Sequence, residues 1–179
     1  MVPLSTVGRQ DLDDMTMERT AGVVLSLLDG RWLESEAAAV ASLQRLGFTV
    51  MPDDGTVPPS GSRQRELMPA PGIDHASLSI LDSAPTNITF FIASSPEREN
   101  AATRSAYENL LASLAITLDS PQRFWADETT PVFWHHSDLE VGAQLFERRD
   151  STVMVWVEHR ARSKAAEERA LANRDPGNR

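Results

Sequence analysis

Residues 131–160 read "PVFWHHSDLEVGAQLFERRDSTVMVWVEHR", and this stretch predicts three consecutive β-strands. Apolar side chains recur with the period of a strand from Val132 to His135, from Leu139 to Phe146 and from Thr152 to Glu158. The connections between these segments are only a few residues long, which favours antiparallel pairing of neighbouring strands. The stretch therefore predicts an antiparallel sheet.

The last of these strands is apolar on both faces. Successive side chains of a strand point to opposite faces, so Val153, Val155 and Val157 share one face, and Met154 and Trp156 share the other. Either helices cover both faces of the sheet, or one face meets a partner. Core packing is the commoner arrangement, whereas an exposed Trp would be an anchor for a protein interface.

The rest of the chain predicts a hairpin, a short strand and several helices. Residues 75–95 form the hairpin, with "SAPT" at its turn, and Phe48 to Met51 form the short strand. Two antiparallel helices precede them, the second capped by Ser35 and ended by Gly47. Ser95 caps a central helix, and a charged helix closes the chain.

This order of elements predicts one α+β domain. The sheet is antiparallel with about five to six strands, and the two N-terminal helices and the central helix pack on it. We expect a flexible N-terminus at residues 1–17, the domain at 18–158 and a charged C-terminal helix or tail at 159–179.

A long Pro- and Gly-rich stretch interrupts the domain at residues 52–72, "PDDGTVPPSGSRQRELMPAPG". Five Pro and three Gly argue against a regular element. A loop of this length inside a compact domain is usually functional or disordered. We therefore predict an open loop here, with backbone accessible to proteases at Arg63 and Arg65.

Composition and charge narrow the class of protein. The chain has 179 residues, of which 41% are hydrophobic and 24% charged, as in soluble globular domains. It lacks Cys, an apolar run long enough for a membrane span and the features of a signal peptide, so we expect a cytoplasmic protein. A net charge of −9 disfavours binding to nucleic acids and anionic membranes and favours a basic protein partner.

His135 and His136 are the strongest candidates for catalytic or metal chemistry, but their setting argues against it. Neighbouring residues of a strand point to opposite faces, so the two imidazoles cannot easily share a metal ion. His159 could meet His135 across strands, yet no spacing fixes a third ligand. Nucleophile elbows, phosphate loops and dinucleotide fingerprints are missing. We therefore expect no catalytic residue, no cofactor and no metal.

The order "LLDGRWLESEAAAVASLQRLGFTV", a hairpin, the helix "YENLLASLAITLDSP" and the segment "PVFWHHSDLEVGAQLFERRDSTVMVWVE" resembles small actinobacterial immunity proteins, of the type that neutralises the tuberculosis necrotizing toxin. The resemblance covers about residues 20 to 158 in length and element order. It implies a cytoplasmic inhibitor that binds its cognate toxin and blocks the active site without catalysis. It assigns no role to an individual residue.

The leading hypothesis is therefore an immunity protein that binds a toxin with a basic surface and is a monomer or weak dimer alone. A second hypothesis is an acidic secretion chaperone that holds an extended client on its sheet, and a third is a small enzyme that uses His135 or His136. The candidate partner-binding residues lie in the 52–72 loop, in an acidic strip and on one strand: Asp53, Asp54, Gly61, Arg63, Arg65, Asp127, Glu128 and Trp134.

Overall fold

The computed structural model describes residues 7–52, 56, 61–123 and 131–174. Within these residues the helices are α1 (Val7–Leu27), α2 (Glu36–Arg45), α3 (Ala101–Leu118) and α4 (Arg160–Arg174), with a 3-10 turn at Arg31–Leu33. The strands are β1 (Thr49–Val50), β2 (Ser62–Met68), β3 (His75–Leu81), β4 (Ala84–Ser95), β5 (Gln122–Arg123), β6 (Val132–His136), β7 (Leu139–Phe146) and β8 (Ser151–His159).

All eight of these strands form one antiparallel sheet in the order β1-β2-β3-β4-β8-β7-β6-β5. The chain builds one half of the sheet from β1 to β4 and the other half from β5 to β8, and β4 pairs with β8 at the centre. The α+β class and the antiparallel sheet are confirmed. The predicted five to six strands are too few, because β2 and the two-residue edge strand β5 went unrecognised.

The core lies on one face of the sheet, which we name the inner face. On β8, Val153, Val155 and Val157 are fully buried, and they pair in register with buried side chains of β4 and β7. Helices α1, α2 and α3 contact the strands from this side. Burial of an aliphatic side chain contributes about 1.5–3 kcal/mol, so this face supplies most of the stability of the fold.

The N-terminal helix is longer than predicted. It begins at Val7, within the segment over residues 1–17 that the sequence predicts to be flexible. Its last turns bury Met17, Val24 and Leu27 in the core. The indole Nε1 of Trp32 then donates a 2.7 Å hydrogen bond to the Leu27 carbonyl, which caps the end of α1 from within the core.

The predicted 52–72 loop contains a regular strand. β2 pairs with β3 from Ser62 to Leu67, and two of its side chains, Arg63 and Arg65, reach Glu36 at the start of α2. Arg65 Nη1 lies 2.9 Å from Glu36 Oε1, and Arg63 Nη2 bonds Glu36 Oε2. The prediction of an open loop is therefore wrong over residues 62–68. The backbone at these two arginines is in a sheet ladder rather than exposed to proteases.

Two predicted boundaries also shift. The hairpin turn is Asp82–Ser83, both with positive φ, as in the two-residue turns that match strand twist, and "SAPT" already belongs largely to β4. The cap of α3 is Asn100, whose Oδ1 accepts a 3.0 Å hydrogen bond from the Thr103 amide. Ser95 does not cap the helix because it pairs in β4 with Ser151 of β8.

The charged C-terminal helix α4 packs against the body of the domain. The Arg162 guanidinium donates to the carbonyls of Leu33 at 2.7 Å and Pro85 at 3.1 Å. Further along the helix, Arg169 pairs with Asp82 at 2.7 Å. These contacts connect α4 to the α1–α2 connection and to the β3–β4 hairpin, so the described part of the C-terminal segment is a docked helix.

Substitution of Glu36 tests the anchoring of β2. Glu36→Gln removes a charge that two arginines share, and these side chains are each less than a fifth exposed. We expect the free energy of unfolding to fall by about 1–3 kcal/mol in urea denaturation, because two partly buried guanidinium groups lose their shared charged acceptor. Trypsin should also cleave after Arg63 and Arg65 faster than in the unmodified protein.

The matched control is Glu34→Gln, which changes an exposed glutamate two residues earlier. It should alter the stability by no more than about 0.5 kcal/mol. An equal loss of stability in both variants would show that the contact between Glu36 and β2 does not stabilise the domain.

Candidate protein-interaction face

The face of the sheet opposite the core, which we name the outer face, remains partly open to solvent. Alternate side chains of β4, β6, β7 and β8 are buried on the inner face, while their neighbours on the outer face are half-buried. Five large apolar side chains of these strands share this outer face: Phe91, Phe133, Phe146, Met154 and Trp156. In the described part of the chain, α1 and α3 contact the apolar strand β8 on its inner side, whereas α4 reaches its outer side at Glu158 through Ser163.

An aromatic row crosses the middle of the outer face. Trp156 of β8 pairs in register with Gly142 of β7, and Gly142 pairs with Phe133 of β6. A Cβ atom on Gly142 would overlap the indole of Trp156, so the ring lies directly over this glycine. The rings of Phe133 and Trp156 meet edge to face, with centroids 5.7 Å apart. The glycine thus lets a large aromatic side chain lie close to the sheet.

An acidic row lies next to the aromatic row. Glu158 of β8 is directly opposite Glu140 of β7, an arrangement of like charges that disfavours the folded state. His135 Nε2 lies 3.0 Å from Glu140 Oε2. Burial raises the pKa of Glu158, and the nearby carboxylates of Glu140 and Glu167 raise it further, although a hydrogen bond from Ser163 acts in the opposite direction.

The charges on this face have one sign. The strand positions that point outward in the described residues include three glutamates, Glu66, Glu140 and Glu158, and neither Arg nor Lys. Two histidines lie beside these acids, since His75 Nε2 is 3.3 Å from Glu66 and His135 pairs with Glu140. The outer face thus combines an apolar centre with an acidic border.

Trp134, one of the predicted partner-binding residues, is part of the core. Its side chain is on the inner face and is 2% exposed, and its indole Nε1 donates a 3.0 Å hydrogen bond to the Asp119 carbonyl. The prediction that Trp134 binds a partner is therefore wrong. The other Trp of this sheet, Trp156, is the one on the outer face, between β4 and β7.

The other predicted residues do not form a common site. Arg63 and Arg65 lie in strand β2 rather than in a loop, and both guanidinium groups bond Glu36, so their contact with a partner stays a prediction. Gly61 has a positive φ of 70° and lies against the ion pair of Asp82 and Arg169. The remaining four predictions lie outside the described residues: Asp53, Asp54, Asp127 and Glu128.

The histidine pair divides between the two faces, as predicted. His135 faces outward to Glu140, whereas His136 lies on the inner side of the sheet end, in the row of Leu139 and His159. His136 and His159 are two strands apart, so their Cα atoms are separated by roughly 10 Å. Both line a cleft of about 360 Å³ beneath the α1–α2 connection. Among the described residues, no group of three His, Asp or Glu side chains is placed to hold a metal ion.

The sequence shows that β8 is apolar on both faces, but it does not show that the outer face of the whole sheet forms a site. Met154 and Trp156 were its visible signal, because a strand buried on one side should carry polar residues at these positions. Phe91, Phe133 and Glu140 could be added only once the register between strands was known. The site is therefore distributed over four strands that are distant in sequence.

The position of the Trp156 ring can be tested through Gly142. Gly142→Ala forces a methyl group into the indole, so we expect the free energy of unfolding to fall by about 1–3 kcal/mol. In a Trp156→Val background the same change should cost much less, because the overlapping ring is gone. Gly22→Ala is the control, since nothing lies within 4 Å of a Cβ there. An equal cost of Gly142→Ala in both backgrounds would contradict the contact.

Glu158 should make stability depend on pH. A carboxyl group whose pKa is raised on folding favours the folded state below its usual value of 4.5, and this contribution is lost as pH rises through the folded-state pKa. Glu158→Gln should therefore raise the melting temperature near neutral pH, with a gain that shrinks as the pH approaches 4.5. The exposed Glu108→Gln is the comparison. A gain that is constant with pH would argue against the crowded carboxylates.

Comparison with known proteins adds no family to this description. No protein-family model matches the sequence, and no curated protein or solved structure gives a significant match. The resemblance to immunity proteins therefore stays a prediction. No helix in the described part of the chain is long and apolar enough to cross a membrane.

Proposed function

We propose that this chain is a cytoplasmic immunity protein that binds a cognate secreted toxin through the outer face of its sheet and blocks it without catalysis. The observation that carries the proposal is the half-buried apolar patch of Phe91, Phe133, Met154 and Trp156, which lies on the face opposite α1, α2 and α3 and is bordered by acids. Exposed apolar patches with a polar border are typical of protein-binding surfaces.

The charge of the face selects the kind of partner. Its described strand positions carry glutamates but no Arg or Lys, so it complements a basic surface. Toxins that act on nucleic acids or nucleotides often have basic substrate clefts, and an inhibitor that covers such a cleft needs a negatively charged surface. Complementary charge also raises the association rate at low salt.

The chemistry of the face suits arginine in particular. A guanidinium group can stack on the Trp156 indole while it donates hydrogen bonds to Glu140 or Glu158 in the next row. Such a contact would remove the repulsion between the two facing carboxylates. Trp and Arg are also the residue types that most often dominate the binding energy of an interface.

The size of the face is consistent with this role. The five strands from β3 to β6 in the sheet order span roughly 24 Å, and six residues of a strand span roughly 20 Å, which gives roughly 500 Å² of face. A standard interface uses about 800 Å² of each partner. The sheet therefore supplies the centre of such an interface, and neighbouring loops would supply its border.

The open apolar face also favours the second hypothesis, a secretion chaperone. Such a protein would hold an extended, unfolded client on the sheet and would form a dimer. The two functions differ in the state of the partner, because an immunity protein recognises the folded toxin domain. Binding to the heat-unfolded client but not to the folded domain would favour the chaperone.

Growth rescue and binding kinetics with the toxin domain encoded beside this gene test the proposal. Co-expression should restore growth of cells that make the toxin. Trp156→Ala should weaken binding by about 2 kcal/mol, or roughly 30-fold in Kd, as expected for a central aromatic anchor. Glu140→Lys and Glu158→Lys should mainly slow association and reduce its dependence on salt.

The control variants change an apolar and an acidic side chain that are exposed on α3, away from the outer face. Ile116→Ala changes a side chain that is 86% exposed on α3, and Glu108→Lys reverses an exposed charge on the same helix. Both should bind like the unmodified protein. Failure to protect cells would refute the immunity function, whereas protection that is insensitive to the outer-face variants would refute the location of the interface.

A further inference from the structure

A second cleft lies at the end of the sheet far from the acidic row. It has a volume of about 790 Å³ and is formed by the β7–β8 turn and by the connection from β4 to α3. Four arginines and three acids line it: Arg98, Arg104, Arg148, Arg149, Glu99, Glu147 and Asp150. In a chain with a net charge of −9, four guanidinium groups around one cleft are a local excess of positive charge.

Three of these arginines have their charges available. Arg98, Arg148 and Arg149 are exposed and form no ion pair with the described residues, although acids lie in the same loops. Guanidinium groups bind phosphate and carboxylate groups through paired hydrogen bonds. The cleft therefore presents donors for an anionic group rather than a set of closed surface ion pairs.

The sheet holds the two arginine-bearing segments together. Ser151, at the start of β8, is fully buried and pairs with Ser95 at the end of β4. Its Oγ accepts a 2.9 Å hydrogen bond from the Asn100 amide, just before α3. Arg98 on one segment and Arg149 on the other are thus positioned by paired backbone. A site built on such a framework loses less entropy when it binds a ligand.

Glu147 gives a second, independent indication of a ligand. Its side chain is 9% exposed, and Arg104 bonds its Oε2 atom. The other carboxylate oxygen, Oε1, is buried and has no hydrogen-bond donor. A buried acceptor without a donor destabilises the folded state, and a ligand that donates an N–H or O–H group to Oε1 would remove this cost.

We propose that this cleft binds a small phosphate ester whose other end carries hydrogen-bond donors, and a nucleotide is the class that fits. The phosphate would bind Arg148 and Arg149, and an N–H or O–H group of the base or sugar would donate to Glu147. The volume of about 790 Å³ is within the range of small-ligand sites. The residues that would bind the ligand, Arg148, Arg149 and Glu147, are distinct from the aromatic and acidic rows of the outer face, although Gln144 and Phe146 at the end of β7 also line the cleft.

Calorimetric titration of the whole chain tests this site with three probes: a nucleoside monophosphate, the matching nucleoside and inorganic phosphate. The monophosphate should bind at least 10-fold more tightly than either fragment. Arg148→Gln with Arg149→Gln should weaken its binding at least 10-fold. Glu147→Gln should reduce the advantage of the monophosphate over inorganic phosphate, because the charged acceptor is gone.

Arg31→Gln is the matched control, since this arginine is exposed and lies in the α1–α2 connection, away from the cleft. It should bind the monophosphate like the unmodified protein, and circular dichroism should show that all variants are folded. The proposal is overturned if no probe binds, if inorganic phosphate binds as tightly as the monophosphate, or if Arg31→Gln is as impaired as the cleft variants. Displacement of the monophosphate by a poly-glutamate peptide at lower concentration would instead assign the cleft to an acidic protein partner.

Discussion

The burial of Val153, Val155 and Val157 orients the side chains of the whole sheet. β8 lies between β4 and β7. Side chains of paired residues point to the same face, so the face on which the valines lie fixes which residues of β4 and β7, and then of the outer strands, point inward. A slip of one residue would bring Met154 and Trp156 to the helices and expose the three valines. Because α1, α2 and α3 pack on the valine side and α4 contacts the outer face at Glu158, the same constraint that builds the core leaves the aromatic side chains of the outer face only half-buried.

Charge pairing decides where the sheet can accept polar residues. On β2 two inner-face positions hold arginines rather than aliphatic side chains, and both guanidinium groups bond the carboxylate of Glu36 at the start of α2. On the outer face the acids have no such arrangement: Glu140 has a histidine, while Glu158 faces another carboxylate and has a raised pKa. An ion pair within the domain thus stabilises one edge of the sheet. In the acidic row, by contrast, Glu140 and Glu158 repel each other, and a cation of a partner could compensate this repulsion.

Elements whose signal lies within one segment of the sequence were predicted well. Elements that depend on contacts with segments distant in sequence were not. Strand β7 was placed correctly because its own alternation and turns are sufficient, and Ser35 was recognised as a cap because its hydrogen bond to Ala38 is local. β2 was missed because its alternation consists of Arg63 and Arg65, whose polarity is acceptable only once Glu36 is beside them. The sequence could not show which of Trp134 and Trp156 lies in the core and which on the outer face, because this depends on the register between the strands.

The proximity of the aromatic and acidic rows has a thermodynamic consequence for any basic partner. A guanidinium group placed beside Glu158 favours the ionised carboxylate, so it must lower a pKa that burial and two neighbouring glutamates raise in the free protein. Binding and proton release are then linked, and affinity rises with pH across the range between the free and bound pKa values. The repulsion between Glu140 and Glu158 weakens the isolated domain, but the same repulsion strengthens its preference for a cationic partner over a neutral one.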